Sequence, residues 1–355
     1  MYNDKKIFWG NGKGMRLKIL TPKKEETVYP YGEEVRAYLL DEDYMKEDLV
    51  RTHKKTPVFD SAVAITLSWQ CDGEAKEFLL AYGTREEAES GSLHRVTLSE
   101  SVYGLTNLLK GTEYFFSVTA FYPDGTEEVA SSNFFTSTLG PRVISVDGIC
   151  NVRDMGGYTT RSGKTTRQGR IYRSMRFDTT DKPLSDIGRK TLISELGIKT
   201  ELDLRYESMV RESGQYPLGE EVTYINLPVG SYNSLEKGAS SFVAALRVLA
   251  DETVFPLIFH CSGGADRGGV FAFCLGSILG YDDKTLLNDY EFTSFSAYHI
   301  RDKNIRVDAA GGFFTVMEIL SRYAGETLGD RCVSLLMANG LSAEEISVIR
   351  KNMYE

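Results

Sequence analysis

The chain has 355 residues, of which 42% are hydrophobic, and a formal net charge of −9 that both halves share. That length suits two domains better than one, and the acidity speaks against nucleic acid or an anionic membrane surface as a partner. Five cysteines without Cys-x-x-Cys spacing and four histidines without ligand spacing argue against a disulfide framework or a structural metal.

Met1 to Leu20 is charged and glycine-rich with no signal-peptide core, and no apolar run reaches the length of a membrane span. The expected location is therefore cytoplasmic, although an exported protein shorn of its leader would look the same. Residues 1–15 show no periodicity and are expected to be a loose terminus. Arg16 to Pro22 alternates briefly, as a first strand would. Lys23 to Lys55 is highly charged, with helix-like pieces but no clean apolar face, and is expected to be an irregular insertion.

From Pro57 the pattern becomes all-β. Val63, Ile65, Leu67 and Trp69 alternate with small or polar residues, and so do Phe78, Leu80 and Tyr82 before a Gly83-Thr84 turn. Val96 and Leu98 follow. Tyr114, Phe116, Val118 and Ala120 then run at period two, Pro123-Asp124-Gly125-Thr126 is a turn, and Phe134 to Thr136 ends the series. Short strands at this spacing make a sandwich. The run Leu109-Lys-Gly-Thr-Glu-Tyr114, with Trp69 upstream, resembles a fibronectin type III domain, with Tyr114 as its corner tyrosine. The resemblance covers 57–138 and, taken back to the first strand, 16–138. Trp69 and Tyr114 are expected in the core.

Thr138-Leu139-Gly140-Pro141 breaks the strand pattern, so 139–144 is read as a linker and 145–355 as a second domain. Strands there alternate with helical patterns, which predicts α/β architecture with a mostly parallel central sheet flanked by helices. Ser185 caps an expected helix ending at Gly197. Ile198, Leu202 and Leu204 form a strand delivering Arg205, and Val222 to Pro228 forms another. Phe242 to Leu249, Asp282 to Phe292, Phe313 to Tyr323 and Ser342 to Met353 read as helices, the last with a Ser342/Glu345 capping box.

The chemistry concentrates in His260-Cys261-Ser262-Gly263-Gly264-Ala265-Asp266-Arg267-Gly268-Gly269. An apolar run, Val254 to Phe259, precedes it and a helical pattern, Val270 to Leu279, follows. Strand, tight loop and helix are predicted. Converging backbone amides at a helix N-terminus favour anions, a cysteine thiolate included. Arg267 adds a fork that holds two oxygens of a phosphate. Nucleophilic sulfur, oxygen cradle and bidentate cation are what phosphoryl transfer to cysteine requires. The loop resembles the His-Cys-x-x-Gly-x-x-Arg signature of cysteine-dependent tyrosine phosphatases.

Three more segments accompany it: Asn151-Val-Arg153-Asp154-Met-Gly-Gly157, Arg173-Ser174, and Asp203-Leu-Arg205 with Glu207 and Glu212. With the loop and Asp289-Tyr290 they resemble, in order, a bacterial family of tyrosine/serine protein phosphatases. The resemblance implies that Cys261 attacks phosphorus and becomes a phosphocysteine. Arg267 and the loop amides from Ser262, through Gly263, Gly264 and Ala265, to Arg267 would hold the phosphoryl oxygens. Asp266 would protonate the leaving oxygen and then activate water, needing no cofactor and no metal. Other branches place the acid upstream, but Leu227 to Gly238 contains no Asp and only Glu236. An acid beside a thiolate and a dianion is expected to keep its proton at neutral pH. Glu236 and Asp289 remain alternatives for the acid, and Asp266 also fits as a helix first-turn residue.

His260 is expected to orient Cys261, Arg153 and Asp154 to form structural ion pairs, and Arg205 to support the loop or border the pocket. Cys150 reads as a small buried residue or a redox partner of Cys261. Gly268 stands where many relatives have Ser or Thr, so slow breakdown of the phosphocysteine is expected. Ala265 stands where relatives acting on phosphoinositides often have Lys, which weakens that alternative. The expected activity is phosphomonoester hydrolysis, on phosphotyrosine first and on phosphoserine in a dual-specificity version. The expected partner is a phosphorylated protein or a small phosphomonoester. A weakly active phosphate-binding module is the competing reading, Arg267 speaks against a sulfurtransferase, and protein docking through the sandwich is compatible with each.

Overall fold

The structure, a computed structural model, describes residues 16–55, 62–178, 184–210, 218–296, 300–305 and 311–355. The terminus 1–15, Pro57 and Glu212 lie outside the described residues. The chain divides into two compact units, Met1–Pro30 with Val63–Ser137, and Tyr31–Ala62 with Thr138–Glu355.

The first unit holds two sheets around one apolar cluster. One has three strands, in the order Leu17–Thr21, Ile65–Cys71, Val102–Leu105. The other has five, in the order Glu26–Val28, Glu127–Thr136, Glu113–Phe121, Glu77–Thr84, His94–Leu98. Strand Glu113–Phe121 alternates as the period-two pattern requires, with Tyr114, Phe116, Val118 and Ala120 buried. Leu67 and Trp69 of one sheet join Leu80, Phe116 and Phe134 of the other in a single core. Trp69 packs edge-on against Phe78, with ring centroids 5.5 Å apart. Tyr114 turns its hydroxyl back to accept the Leu109 N–H at 2.9 Å, so a buried ring keeps its polar tip bonded. Strand Val102–Leu105 and a short helix Arg85–Ser90 were not among the expected elements. Thr84, expected in a turn, caps that helix through a capping box with Glu87.

The charged insertion contains two helices, Glu33–Leu40 and Leu49–His53, and both belong to the second unit. Val35, Tyr38 and Leu39 are buried at helical spacing. Tyr38 donates to Glu291 Oε2 at 2.8 Å, and Phe295 lies against its ring at 5.1 Å. A helix-period face of three residues inside a charged stretch was too short to stand out.

The second unit is α/β. Its six-stranded sheet runs Thr223–Asn226, Thr200–Asp203, Leu257–His260, Ile171–Ser174, Arg153–Asp154, Arg142–Val143. The first four strands are mutually parallel and the last two antiparallel. Strand Leu257–His260 is central, buried, and flanked on both sides by parallel neighbours, as its unbroken apolar run requires. Helices Asp186–Lys190 (continued as a π-turn, Thr191–Glu195), Ala239–Arg247, Asp283–Phe292, Phe313–Leu320 and Ala343–Met353 stand where helical patterns predicted them. The caps by Ser185 and Ser342 form as the sequence indicated. Helix Leu328–Ala338, with a Thr327/Asp330 capping box, is an addition. Helix Asp266–Leu279 is buried from Gly268 onward and packs into the main core with Phe259, Phe271 and Leu275.

Candidate active site

Three motif segments end together at the carboxyl edge of the sheet. Ser174 and Asp203 are each in register with His260, one on either side of the central strand. The loop Cys261 to Ala265 leaves from this edge and enters helix Asp266–Leu279. In parallel sheets this edge is where ligands bind. Cys261 is only 2% exposed, at the floor of the loop.

The loop is held from outside by its carbonyls. The Cys261 carbonyl faces His260 Nδ1 at 3.3 Å, and that of Ser262 accepts the Arg176 N–H at 3.2 Å. The Gly263 carbonyl accepts from Asn151 Nδ2 at 3.1 Å, and that of Gly264 from Arg173 Nη2 at 2.5 Å. In a trans peptide the C=O and the following N–H point in opposite directions. Four carbonyls held outward therefore turn the amides of Ser262, Gly263, Gly264 and Ala265 the other way, which is the condition for an anion cradle. Gly264 has φ +64°, and a Cβ there would lie 2.3 Å from the Ser174 carbonyl. Only glycine fits.

Behind the loop lies a buried ionic clamp. Arg153 Nε bonds Asp289 Oδ1 at 2.7 Å, its Nη1 bonds Asn151 Oδ1 at 2.5 Å, and its Nη2 bonds the Asp289 carbonyl at 2.7 Å. Arg173 Nη1 takes the other oxygen of Asp289. Burial pushes the Asp289 carboxyl up, but the two guanidiniums outweigh it and hold it below the usual carboxylate value. Burial, with Arg153 close by, pulls Arg173 down to about 10. The Asn-x-Arg and Arg-Ser segments thus brace successive peptides of one loop. Asp289, an alternative for the acid, is the counter-ion of this clamp. Glu236, the other alternative, is an exposed residue of the short helix Ser234–Lys237 and pairs with Arg322.

His260 has Glu201 Oε1 at 2.9 Å from Nε2, and Asp203 Oδ1 at 3.8 Å from Nδ1. Glu201, Asp203 and His260 offer ligand atoms within 4.8 Å of one another, as a metal site would. Their bonds are taken internally, however. Asp203 accepts from Arg205 Nε at 3.0 Å and Nη2 at 2.7 Å, and from the Tyr224 hydroxyl at 3.0 Å. Arg205 Nη1 goes to Asp178 at 2.9 Å, so all of its guanidinium nitrogens are committed to carboxylates. Its link to the loop runs through Asp203. Asp154 pairs with Arg142 at 3.0 Å and accepts the Gly156 and Gly169 N–H groups. Burial raises its carboxyl nonetheless. Cys150 packs beside Met175, with the sulfurs 3.2 Å apart.

At the mouth, Arg267 Nη2 donates to Ser262 Oγ at 2.9 Å, and its guanidinium lies 5.9 Å from the Tyr206 ring centroid. Asp266 is engaged by two residues that no sequence motif announced. Arg301 donates from Nε to Oδ1 at 2.7 Å and from Nη2 to Oδ2 at 3.1 Å, and the Tyr232 hydroxyl donates to Oδ1. The hydroxyls of Tyr232 and Tyr290 are 2.9 Å apart. Gly268 is open toward the sulfur, since a Cβ there would sit 3.7 Å from Cys261 Sγ, an ordinary contact.

Residues 144–355 match the model of a family described as the tyrosine phosphatase family. A Cupriavidus necator protein, named provisionally as a tyrosine-protein phosphatase, is 25% identical over 185 residues, covering 43% of this chain. The chain spans 64% of that relative's length. Among solved structures, the core catalytic domain of the PP-IP phosphatase Siw14 from S. cerevisiae, in complex with citrate, is similar over 44% of this chain and 81% of its own, at 16% identity and a TM-score of 0.31. A Siw14 catalytic core is similar over 43% and 78%, at 15% identity and a TM-score of 0.30.

Proposed function

The chain belongs to the tyrosine phosphatase family, and on that premise we propose that it hydrolyses phosphomonoesters through a phosphocysteine on Cys261. The observation carrying this reading is the set of four outward-held carbonyls from Cys261 to Gly264, which leaves the loop amides free to take phosphoryl oxygens. In the first step Cys261 Sγ bonds phosphorus as the ester P–O bond breaks, and Asp266 gives the leaving oxygen its proton. In the second, water attacks phosphorus, Asp266 takes a proton from it, and inorganic phosphate and the thiolate are released. Arg267 and the amides of Ser262 to Ala265 bind the three equatorial oxygens throughout. Neither step calls for a metal or a cofactor. His260 and Arg205 support the loop through Glu201 and Asp203.

Phosphotyrosine on a protein is the proposed first substrate, with phosphoserine second. Ala265 stands where relatives acting on phosphoinositides often have Lys, which weakens the phosphoinositide reading, and an inositol phosphate is kept as the alternative substrate. Gly268 supports a second reading, a phosphate binder with slow turnover, because this position, 3.7 Å from Sγ at its would-be Cβ, carries no hydroxyl to assist the second step. Hydrolysis of an aryl phosphate in EDTA separates the two. The expected result is activity that Cys261→Ser abolishes and EDTA leaves intact. Wild-type activity no higher than Cys261→Ser rules out the enzyme, and loss in EDTA rules out this mechanism.

The first unit is proposed to be a fibronectin type III-like domain, a reading supported by its two sheets and the Tyr114 bond to Leu109. Its proposed role is protein docking. A kcat/KM at least about tenfold higher for a folded phosphoprotein than for the matching phosphopeptide is expected, and equal values contradict docking. That factor corresponds to about 1.4 kcal/mol of added binding.

A further inference from the structure

Asp266 was expected to keep its proton because its neighbours are anions. The structure surrounds it with donors instead. Oδ1 accepts from Arg301 Nε and from Tyr232, and Oδ2 accepts from Arg301 Nη2. A guanidinium has five N–H donors and no acceptor, so a proton on Asp266 is disfavoured in each lone-pair site that Arg301 faces. The arrangement fits the form of Asp266 that takes a proton from water, not the form that gives one to a leaving group.

Arg301 is not a loose surface arginine. Its side chain is 12% exposed. Its backbone N–H donates to Ser294 Oγ at 2.7 Å, and its carbonyl accepts from the same hydroxyl at 2.9 Å. Ser294 lies in the turn Thr293–Phe295 that extends helix Asp283–Phe292, the helix bearing Asp289 and Tyr290. One helix thus supplies the counter-ion behind the loop and anchors the cation on Asp266. Tyr232 differs from Arg301 because a hydroxyl donates or accepts. With its hydrogen turned to Tyr290, 2.9 Å away, its oxygen can receive a proton carried on Asp266 Oδ1.

We infer that Arg301 is a positioning residue that holds Asp266 in its proton-accepting form, and that it must release an oxygen before a leaving group is protonated, with Tyr232 accommodating both forms. The inference rests on the reading of Asp266 as the acid and base. It makes the first step sensitive to the leaving group: an acidic phenol departs with little help, whereas an alkanol needs the proton. Arg301 thereby sets how strongly the enzyme favours aryl over alkyl esters.

The test is the ratio of kcat/KM for ethyl phosphate to that for phenyl phosphate in the full chain, in which any effect on phosphate binding cancels. Arg301→Gln is expected to raise the ratio about tenfold or more, a fraction of what general acid catalysis contributes. Arg301→Lys, which retains a cation, is expected to stay near wild type. Tyr232→Phe, which removes the acceptor, is expected to lower the ratio, and it serves also if Arg301→Gln does not fold. An unchanged ratio in Arg301→Gln and in Tyr232→Phe, with Asp266→Asn lowering it, overturns the inference and leaves Asp266 as the acid. An unchanged ratio in Asp266→Asn overturns the acid assignment itself, and the inference with it.

Discussion

The first unit gathers Leu67, Trp69, Leu80, Phe116 and Phe134 into an apolar cluster, whereas the second fully buries Arg153, Arg173 and Arg205. Each kind of interior has a different physical consequence. Apolar burial stabilises in proportion to area and specifies little chemistry. Burying a guanidinium is costly, the more so where a donor goes unmet, as Arg173 Nε does among the described residues, so such groups persist where their geometry has a use. Here that use is visible at the atoms. Arg153 orients Asn151, and Asn151 and Arg173 hold two carbonyls of the Cys261 loop. The sandwich core makes a domain, and the charged core of the second unit shapes a site.

That contrast is open to attack through stability and activity measured side by side. Asp289→Ala strips two buried arginines of their counter-ion and should destabilise the chain by about 3–5 kcal/mol. It should also reduce kcat in whatever remains folded. Phe116→Ala in the sandwich should lose a similar 3–5 kcal/mol through its cavity, yet leave kcat on a small aryl phosphate unchanged. Denaturant unfolding with initial rates on the same samples checks both. A loss of kcat in folded Phe116→Ala, or full kcat in Asp289→Ala, would break the contrast.

Asn151→Ala releases the Gly263 carbonyl and lets that peptide turn. A fall in kcat on the order of 10²-fold is expected from such a small misplacement, with modest loss of stability. Steady-state kinetics beside a thermal melt reads this, and unchanged kcat would remove Asn151 from the account. Acid adds a sharper version. The folded value of Asp289 lies below its unfolded value near 3.9, so its stabilisation is complete above about pH 4 and is lost as pH falls through the folded value. The stability gap between wild type and Asp289→Asn should therefore narrow below about pH 4, and a gap constant with pH would contradict the ion-pair origin.

Smaller effects belong to the edges of the comparison. Gly268→Ser fits sterically and brings a hydroxyl toward Sγ. It should shrink the burst of leaving group relative to the steady rate, and an unchanged burst in stopped-flow would show that the second step does not limit turnover. Tyr114→Phe removes one bond to Leu109 and should cost about 1 kcal/mol with no change in rate.

The loop was legible because its requirements are local: an apolar run, a cysteine, a glycine with positive φ and an arginine at fixed spacing. The Asn151 to Asp154, Arg173-Ser174 and Asp203 to Arg205 segments were legible as an ordered set, although their roles as braces needed coordinates. Arg301 and Tyr232 were not legible, and Tyr290 stood out only beside Asp289, without its bond to Tyr232. Arg301 and Tyr232 reach Asp266 from distant segments, and no local pattern records a tertiary hydrogen bond. Nor was the alliance of Tyr38 with Glu291, because a short helical face inside a charged stretch looks like an irregular insertion. The helix Leu328–Ala338 opens with an Asp-based capping box, a weaker signal than the Ser342/Glu345 box that was seen.

The central claim is that Cys261, cradled by outward-held carbonyls, carries the phosphoryl group. Its most direct measurement is acid-quenched single turnover of an aryl phosphate, followed by mass spectrometry of the peptide containing Cys261. The account predicts a phosphoryl adduct on Cys261 that forms with the burst, is absent in Cys261→Ser, and builds up because Gly268 gives its breakdown no hydroxyl. Turnover above the Cys261→Ser background, with no adduct on Cys261 at any quench time in wild type or in Asp266→Asn, would contradict it.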